Sequence, residues 1–154
     1  MNEDVNYNAI VTWHGNLQKG ANYSRLKRAS TLDEIQMNEA FYELIDILDY
    51  KGNMDQMAAI VLVLSHVRCN SEWGFAELMG AKTATSEHTV SKLRFNRLID
   101  GNRSEFARSL VRILPLIDNE LNIMDVIKKI FYWGDTVKKE CAKEYYIQKK
   151  NKVK

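Results

Sequence analysis

The sequence predicts an all-α protein, a compact bundle of roughly seven to nine helices. Two observations carry this. One proline and seven glycines in 154 residues leave few helix breakers, and apolar residues recur at three- and four-residue spacing almost throughout rather than alternating. A chain of this length can bury one substantial core but not two comfortable ones, so residues 1–154 are expected to form a single helical domain.

The elements follow in order. A first helix from about Val5 to Leu17 aligns Ile10, Trp13 and Leu17, and Gly20 marks a turn before the short basic patch Arg25, Lys27, Arg28. Thr31 with Glu34 has the spacing of a capping box, in which side chain and backbone satisfy each other at a helix start. The helix it opens runs to about Tyr50, with Phe41, Leu44, Ile45 and Leu48 inward and Glu39, Glu43, Asp46 and Asp49 outward. Gly52 and Asn53 separate it from a helix over Met54 to about Arg68, apolar on nearly every side and therefore central. Asn70 to Ser86 is irregular, with a short apolar turn at Trp73–Met79 and a polar stretch, Ala81–Ser86, suited to a mobile surface loop.

Ser86 is positioned to cap a helix running to Ile99, which Gly101 ends. An arginine-bearing helix then starts at Arg103 and is kinked or stopped by Pro115. Ile123–Trp133 is amphipathic, with Asp125, Lys128, Lys129 and Tyr132 on its polar side. The last helix, Asp135 to about Gln148, stripes Val137, Cys141 and Tyr145 beside Lys138, Lys139 and Lys143, and a basic tail, about 149–154, follows it.

Charge is polarised along the chain. Lys plus Arg total 22 against 20 Asp plus Glu, a net charge of +2 that does not by itself suggest a nucleic-acid partner. Residues 1–60 hold 5 basic and 9 acidic side chains, however, and residues 61–154 hold 17 and 11, as expected of a protein with one basic working surface. Cys69 and Cys141 lie far apart with no CxxC pairing, so neither a disulfide framework nor a zinc site is expected, and a reducing cytoplasm fits. Met1–Asn8 is polar and acidic, and the longest apolar run, Met57–Leu64, is too short to span a bilayer; the expected location is cytoplasmic, with no membrane partner.

No constellation of His, Cys, Asp or Glu at ligand or triad spacing stands out, and there is no Gly-rich phosphate loop. The expectation is a protein without catalytic residues, metal, cofactor or small-molecule substrate. His66 and Cys69, three apart, fall on the most apolar helix, where an imidazole hydrogen-bonded to protein is the expected arrangement.

The basic residues divide by helix face. On the Arg103 helix, Phe106, Leu110, Ile113, Leu114 and Ile117 gather on one side at about 100° per residue while Arg108 and Arg112 stand one turn apart on the other. Guanidinium groups so spaced can pair with successive phosphates of a nucleic-acid strand without reading bases; the competing reading is ordinary surface arginines. Lys128, Lys129, Lys138 and Lys139 also occupy polar faces, where holding a phosphate costs little desolvation, and Lys27 and Arg28 interrupt an acidic half. Arg94, one turn from both Val90 and Leu98, and Arg97, flanked by Leu93, look embedded in an apolar strip; they are read as structural, paired with a carboxylate, or as possible contacts. That apolar character also argues against a groove-reading helix-turn-helix over Ser86–Arg112.

Several segments taken together resemble a known family. Trp13, Gly20, Leu26-Lys27-Arg28-Ala29-Ser30, Asp33-Glu34 and Ala40-Phe41-Tyr42-x-Leu44, followed by Val90-Ser91-x-Leu93-Arg94-Phe95-x-Arg97-Leu98-Ile99, Leu110-Val111-Arg112-Ile113-Leu114, Tyr132-Trp133-Gly134 and Glu144-Tyr145-Tyr146, resemble the CasB family, the small subunit of the type I-E CRISPR surveillance complex Cascade. The likeness spans roughly residues 9–147 and rests on the ordered set of short helical signatures. It implies a non-catalytic helical subunit, present in two copies with the other Cascade subunits, that holds guide RNA and target DNA, gives the displaced strand a basic path and stabilises the R-loop, while base pairing supplies sequence choice. By position it also implies basic contacts at Lys27, Arg28 and Arg112. Lys27 replaces the first arginine of the family's basic pair and lacks its bidentate fork, Gly74-Phe75-Ala76 carries no arginine where relatives usually have one, and Cys141 stands where a large apolar residue is common. The alternative function is a helical adaptor whose acidic Glu39–Asp49 face binds a basic protein partner.

Overall fold

A computed structural model describes residues 5–17, 20 and 22–147. Among these, ten α-helices enclose a single hydrophobic cluster: α1 Tyr7–Leu17, α2 Asn22–Arg28, α3 Leu32–Ile35, α4 Glu39–Leu48, α5 Met54–Leu64, α6 Phe75–Gly80, α7 Lys92–Asp100, α8 Arg103–Ile113, α9 Ile123–Phe131 and α10 Asp135–Tyr146. The predicted tail, about 149–154, lies outside the described residues.

The apolar helix is the centre of the molecule. Every residue of α5 from Met57 to Leu64 is buried, because α8, α9 and α3 pack around it and leave it no solvent face. Asn53 caps it by accepting from the Gln56 backbone N–H at 3.0 Å. On one side α1 packs against α4 and α9; on the other α10 packs on α6 and α7. In α10, Val137, Cys141 and Tyr145 form the buried stripe the spacing predicts, and burial pushes the Cys141 thiol up to about 12.

The expected Thr31–Tyr50 helix is two helices. The Thr31–Glu34 capping box forms, with Glu34 N–H donating to Thr31 Oγ1 at 3.1 Å and Thr31 N–H to Glu34 Oε1 at 3.2 Å, but it opens only the single turn α3. Asn38 then acts as a second N-cap, accepting from Ala40 N–H at 2.8 Å, and restarts the chain as α4. Phe41 and Leu44 are buried, Ile45 and Leu48 half-buried, and the four carboxylates face out. The basic patch after Gly20 is helical as well, as α2. These two differences, together with α6 in the Trp73–Met79 segment, bring the helices among the described residues to ten.

Ser86 does not cap α7. Its hydroxyl donates to the His88 carbonyl at 2.8 Å and meets Thr83 Oγ1, closing a local turn, and Ser91 caps α7 instead. The loop before α7 is stitched down: Thr89 N–H donates to Ala81 O at 2.8 Å, Val90 N–H to Met79 O at 2.9 Å and His88 Nδ1–H to Gly80 O at 2.9 Å. The helix after Gly101 behaves as expected; α8 ends at Ile113 and a 3₁₀ turn over Leu114–Ile117 accommodates Pro115.

A feature absent from the sequence reading is a two-residue parallel ladder, β1 Cys69–Asn70 with β2 Glu120–Leu121, pairing Cys69 with Glu120 and Asn70 with Leu121. It ties the end of the α5 segment to the start of α9. Because α5 stops at Leu64, Cys69 is exposed and outside the helix; His66 Nε2 is buried with no hydrogen-bond partner among the described residues, where a hydrogen-bonded imidazole was expected.

Candidate nucleic-acid interface

The site is built on α7 and α8, which pack side by side. Asn102 and Glu105 start α8 with a reciprocal cap, each backbone N–H donating to the other's side chain at 2.9 Å. From that start the 3.6-residue period buries Phe106, Ala107 and Leu110 and leaves Arg108 and Arg112 exposed one turn apart. Arg112 Nη2 donates to Ser109 Oγ at 3.2 Å, which holds the guanidinium along its own helix.

Arg94 and Arg97 are not embedded. The helix begins at Lys92, so Val90 precedes it and only borders a depression with Arg94; Leu93 is 60% exposed, and Phe95 and Leu98 are the buried residues of the helix. Both arginines therefore stand in solvent with no carboxylate in an ion pair, which corrects the expected half-buried pairing.

The two helices bound a chain of adjoining depressions. One of about 400 Å³ has Arg94, Arg97 and Arg112 around Leu98, Ile113 and Leu116. A neighbour of about 400 Å³ shares Arg97, Ser109 and Arg112 with it and adds Arg108. Arg108 in turn borders a cavity of about 530 Å³ where α3, α5 and α8 begin, near Thr31, Asn53 and Asn102. At the opposite end Arg94 and Leu116 continue into a depression of about 650 Å³ walled by residues 86–92. Because each depression shares wall residues with the next, they form one track, with Arg108 toward one end, Arg97 and Arg112 in the middle and Arg94 toward the other. None of the four arginines has an ion pair among the described residues. Carboxylates line the track too, Asp33 and Asp55 at the Arg108 end, Asp100 and Glu105 beside Arg97 and Glu87 beyond Arg94, and the Glu105 carboxylate is engaged by the Asn102 N–H.

The remaining basic candidates fall elsewhere. Lys138, half-buried, lies at the Asp100 end of the track: its Nζ donates to Asp100 O at 3.4 Å and sits 5.9 Å from the Trp133 ring centroid. Lys139 is exposed on α10. Lys128 lies over the Tyr7 ring at 5.5 Å, and Lys27 over Tyr23 at 5.4 Å with Arg28 exposed beside it on α2; none of these three lines the track.

Lys129 is a correction. Expected on a solvated face, it is 5% exposed and bridges Asp125 Oδ1 at 2.6 Å and Glu144 Oε1 at 2.7 Å, joining α9 to α10. Burial works against its ammonium, but the two carboxylates outweigh it and raise its pKa above the ordinary value; burial likewise holds the Glu144 carboxyl above its usual range despite the lysine. The helical wheel placed Lys129 beside Lys128 on the polar side, and only the arrival of α10 covers one and not the other. Arg103, which the sequence reading passed over as a candidate, lines the far end of the track while donating from Nε to Ile130 O at 2.7 Å and from Nη2 to Phe131 O at 3.1 Å, so it closes the C-terminus of α9.

Among the described residues no group of three His, Cys, Asp or Glu side chains is arranged to hold a metal ion, and no helix is long and apolar enough to cross a membrane. Among the described residues the fold is all-α, and the exposed arginines of α7 and α8 stand around an apolar-floored groove. The chain belongs to the family of CRISPR-associated protein Cse2, which it matches over residues 22–146, the family named above as CasB. Five chains of solved structures match as well. One is a chain of the crystal structure of E. coli Cascade bound to a PAM-containing dsDNA target, 17% identical, with a TM-score of 0.70 over 88% of this chain and 92% of that one, which shows a common fold. No curated protein matches.

Proposed function

We propose that this protein is a non-catalytic subunit of a type I-E CRISPR RNA-guided surveillance complex, that it binds nucleic-acid backbone along the α7–α8 arginine track, and that it stabilises the R-loop in antiviral defence. The single observation that carries the reading is the set Arg108, Arg97, Arg112 and Arg94 along adjoining depressions, all exposed and none neutralised by an ion pair among the described residues. Membership of the Cse2 family and a fold shared with a chain of a DNA-bound Cascade support it. Guanidinium groups grip phosphates without base readout, the task left to a protein when guide pairing selects the sequence. Its partners are the guide RNA, target DNA, the other Cascade subunits and a second copy of itself, in the cytoplasm. Lys27, Arg28, Lys128 and Lys139, on other faces, and Lys138, beside the track at Asp100, are secondary contacts. A net charge of +2 makes binding by the isolated chain weak and leaves the larger subunits to position the strands.

The test is co-expression with the other Cascade subunits and guide RNA, then native mass of the purified assembly and R-loop lifetime, for wild type and Arg112→Glu. Wild type enters the complex in two copies, and the variant enters but shortens the R-loop lifetime. A chain that stays alone and binds no DNA at low salt defeats the reading.

One observation favours a second reading. On α4 the exposed Tyr42 and Ile47 stand among Glu39, Glu43, Asp46 and Asp49, an acidic face with apolar contacts suited to a basic protein surface. An adaptor acting only through that face shows no salt-dependent affinity for DNA and no effect of Arg112 replacement.

A further inference from the structure

Resting on the proposed backbone-binding reading, we infer that the α7–α8 groove contains a base-accepting pocket, so that the track takes a single strand with one base set between its arginines. A surface that only follows phosphates needs cations and nothing else, and an apolar floor there gains nothing from a backbone. The middle depression has such a floor. Leu98, Ile113, Pro115 and Leu116 form it, Leu116 is 42% exposed, and no acidic residue lines it. Arg94, Arg97 and Arg112 stand around the floor. A flat, apolar-faced group flanked by two anions fits this pattern, which is the repeating unit of a single strand: a base with a phosphate on either side.

In a duplex the base faces are stacked away inside, so the floor has no partner. A single strand exposes them, and both apolar side chains and guanidinium planes provide surfaces for bases to lie on. The volume, about 400 Å³, is ample for one base and its sugar. An apolar side chain of a neighbouring protein could occupy the floor too, but it would leave the three surrounding guanidinium groups without the closely spaced anions that each nucleotide brings.

The experiment uses the full chain and three fluorescein-labelled probes of equal length: a thymidine strand, an abasic strand with the same phosphates, and a duplex. Anisotropy is read at low salt for wild type, Leu116→Ser, Ile113→Ser and Arg112→Gln, with thermal melts confirming that each variant is folded. Wild type binds the thymidine strand several-fold more tightly than the abasic strand and the duplex. Leu116→Ser and Ile113→Ser bring the thymidine strand down to the abasic affinity without changing the salt dependence, whereas Arg112→Gln weakens all three probes and flattens that dependence. Equal affinity for thymidine and abasic strands in wild type overturns the pocket while leaving the backbone reading intact. So does a base preference that survives both serine variants, which would give the floor to a protein side chain. Loss of all binding, with no effect of Arg112→Gln, overturns the backbone reading and the pocket with it.

Discussion

Phe106 and Trp133 stack with ring centroids 3.9 Å apart and planes within 19°, while the Trp133 indole N–H donates to the Gly101 carbonyl at 3.0 Å. One side chain thereby fixes both the inner face of the arginine helix and the turn that delivers α7 to it. The track depends on this, because its walls come from two helices whose relative placement Trp133 ties down. Trp133→Phe keeps most of the stacking and loses the hydrogen bond, an expected cost of about 1 kcal/mol. Trp133→Ala loses both and is expected to cost about 3 kcal/mol. Denaturant unfolding checks both values; a Trp133→Phe variant as stable as wild type would refute a role for the Gly101 bond, and one no more stable than Trp133→Ala would refute the stacking.

The Lys129 bridge makes a contrary prediction for a residue that composition alone would assign to DNA. Removing Lys129 leaves two carboxylates facing each other across α9 and α10, and Lys129→Ala is expected to cost about 3 kcal/mol of stability. Its affinity for nucleic acid, measured where the variant is folded, stays at the wild-type value. A variant that folds normally and binds less tightly would return Lys129 to the phosphate contacts.

Gly74 is held to its size by the same cluster. A Cβ there would meet Asp125 Oδ2 at 2.6 Å and Cγ at 3.1 Å, and that carboxylate cannot swing away without loosening its bond to Lys129. The Gly74 φ of −69° suits any residue, so the obstacle is space and not backbone conformation. Gly74→Ala is expected to cost about 1–3 kcal/mol, read as a drop in melting temperature. The double variant Gly74→Ala with Asp125→Ala removes the clash, so its cost falls below the sum of the two single costs.

These cases show what was legible in the sequence and what was not. The outward pair Arg108 and Arg112 could be read because α8 has a cap, an unbroken apolar stripe and a proline stop, so local periodicity settles its faces. The buried stripe of α10 was legible for the same reason. Arg94 was misread because Val90 was counted into its helix, and Ser86 and Ser91 are both competent caps; the start at Lys92 goes with the Thr89 and Val90 bonds to Ala81 and Met79, which only tertiary structure supplies. Lys129 was misread because whether a polar face meets water or another helix is a long-range fact. The β1–β2 ladder, two residues on each side, has no period to detect.

Stability should fall in mild acid. His14 is buried with Nε2–H donating to Val67 O at 2.9 Å; burial lowers its pKa more than that bond raises it. Burial, and then the nearby Lys27, lower that of His66. A histidine whose pKa is lower folded than unfolded gives its proton up on folding, so the unfolded chain takes up protons first as pH falls. Its stabilising effect is whole above the unfolded value of about 6.5 and is lost as pH drops through the window between that value and the lowered one. Unfolding free energy is therefore expected to be higher at pH 7.5 than at pH 5.5, and His66→Gln is expected to make the dependence shallower. An unchanged slope in that variant would assign the acid sensitivity to other groups.

The track itself predicts a pattern of salt dependence. Each arginine that neutralises a phosphate releases a counterion, so log affinity for a single strand falls with log salt by about 0.7 per contact. Arg108→Gln and Arg112→Gln are each expected to reduce that slope by about 0.7, and the double variant by about 1.4, because their guanidinium groups, one helical turn apart, meet different phosphates. Melting temperature is expected to move little, since both side chains are exposed and carry no ion pair. Lys51→Gln, which pairs with Asp49 and lies outside the track and the secondary contacts, serves as the comparison and leaves the slope close to wild type. If Lys51→Gln flattens the slope as much as Arg112→Gln does, binding follows overall charge rather than a path, and the α7–α8 groove loses its claim to the strand.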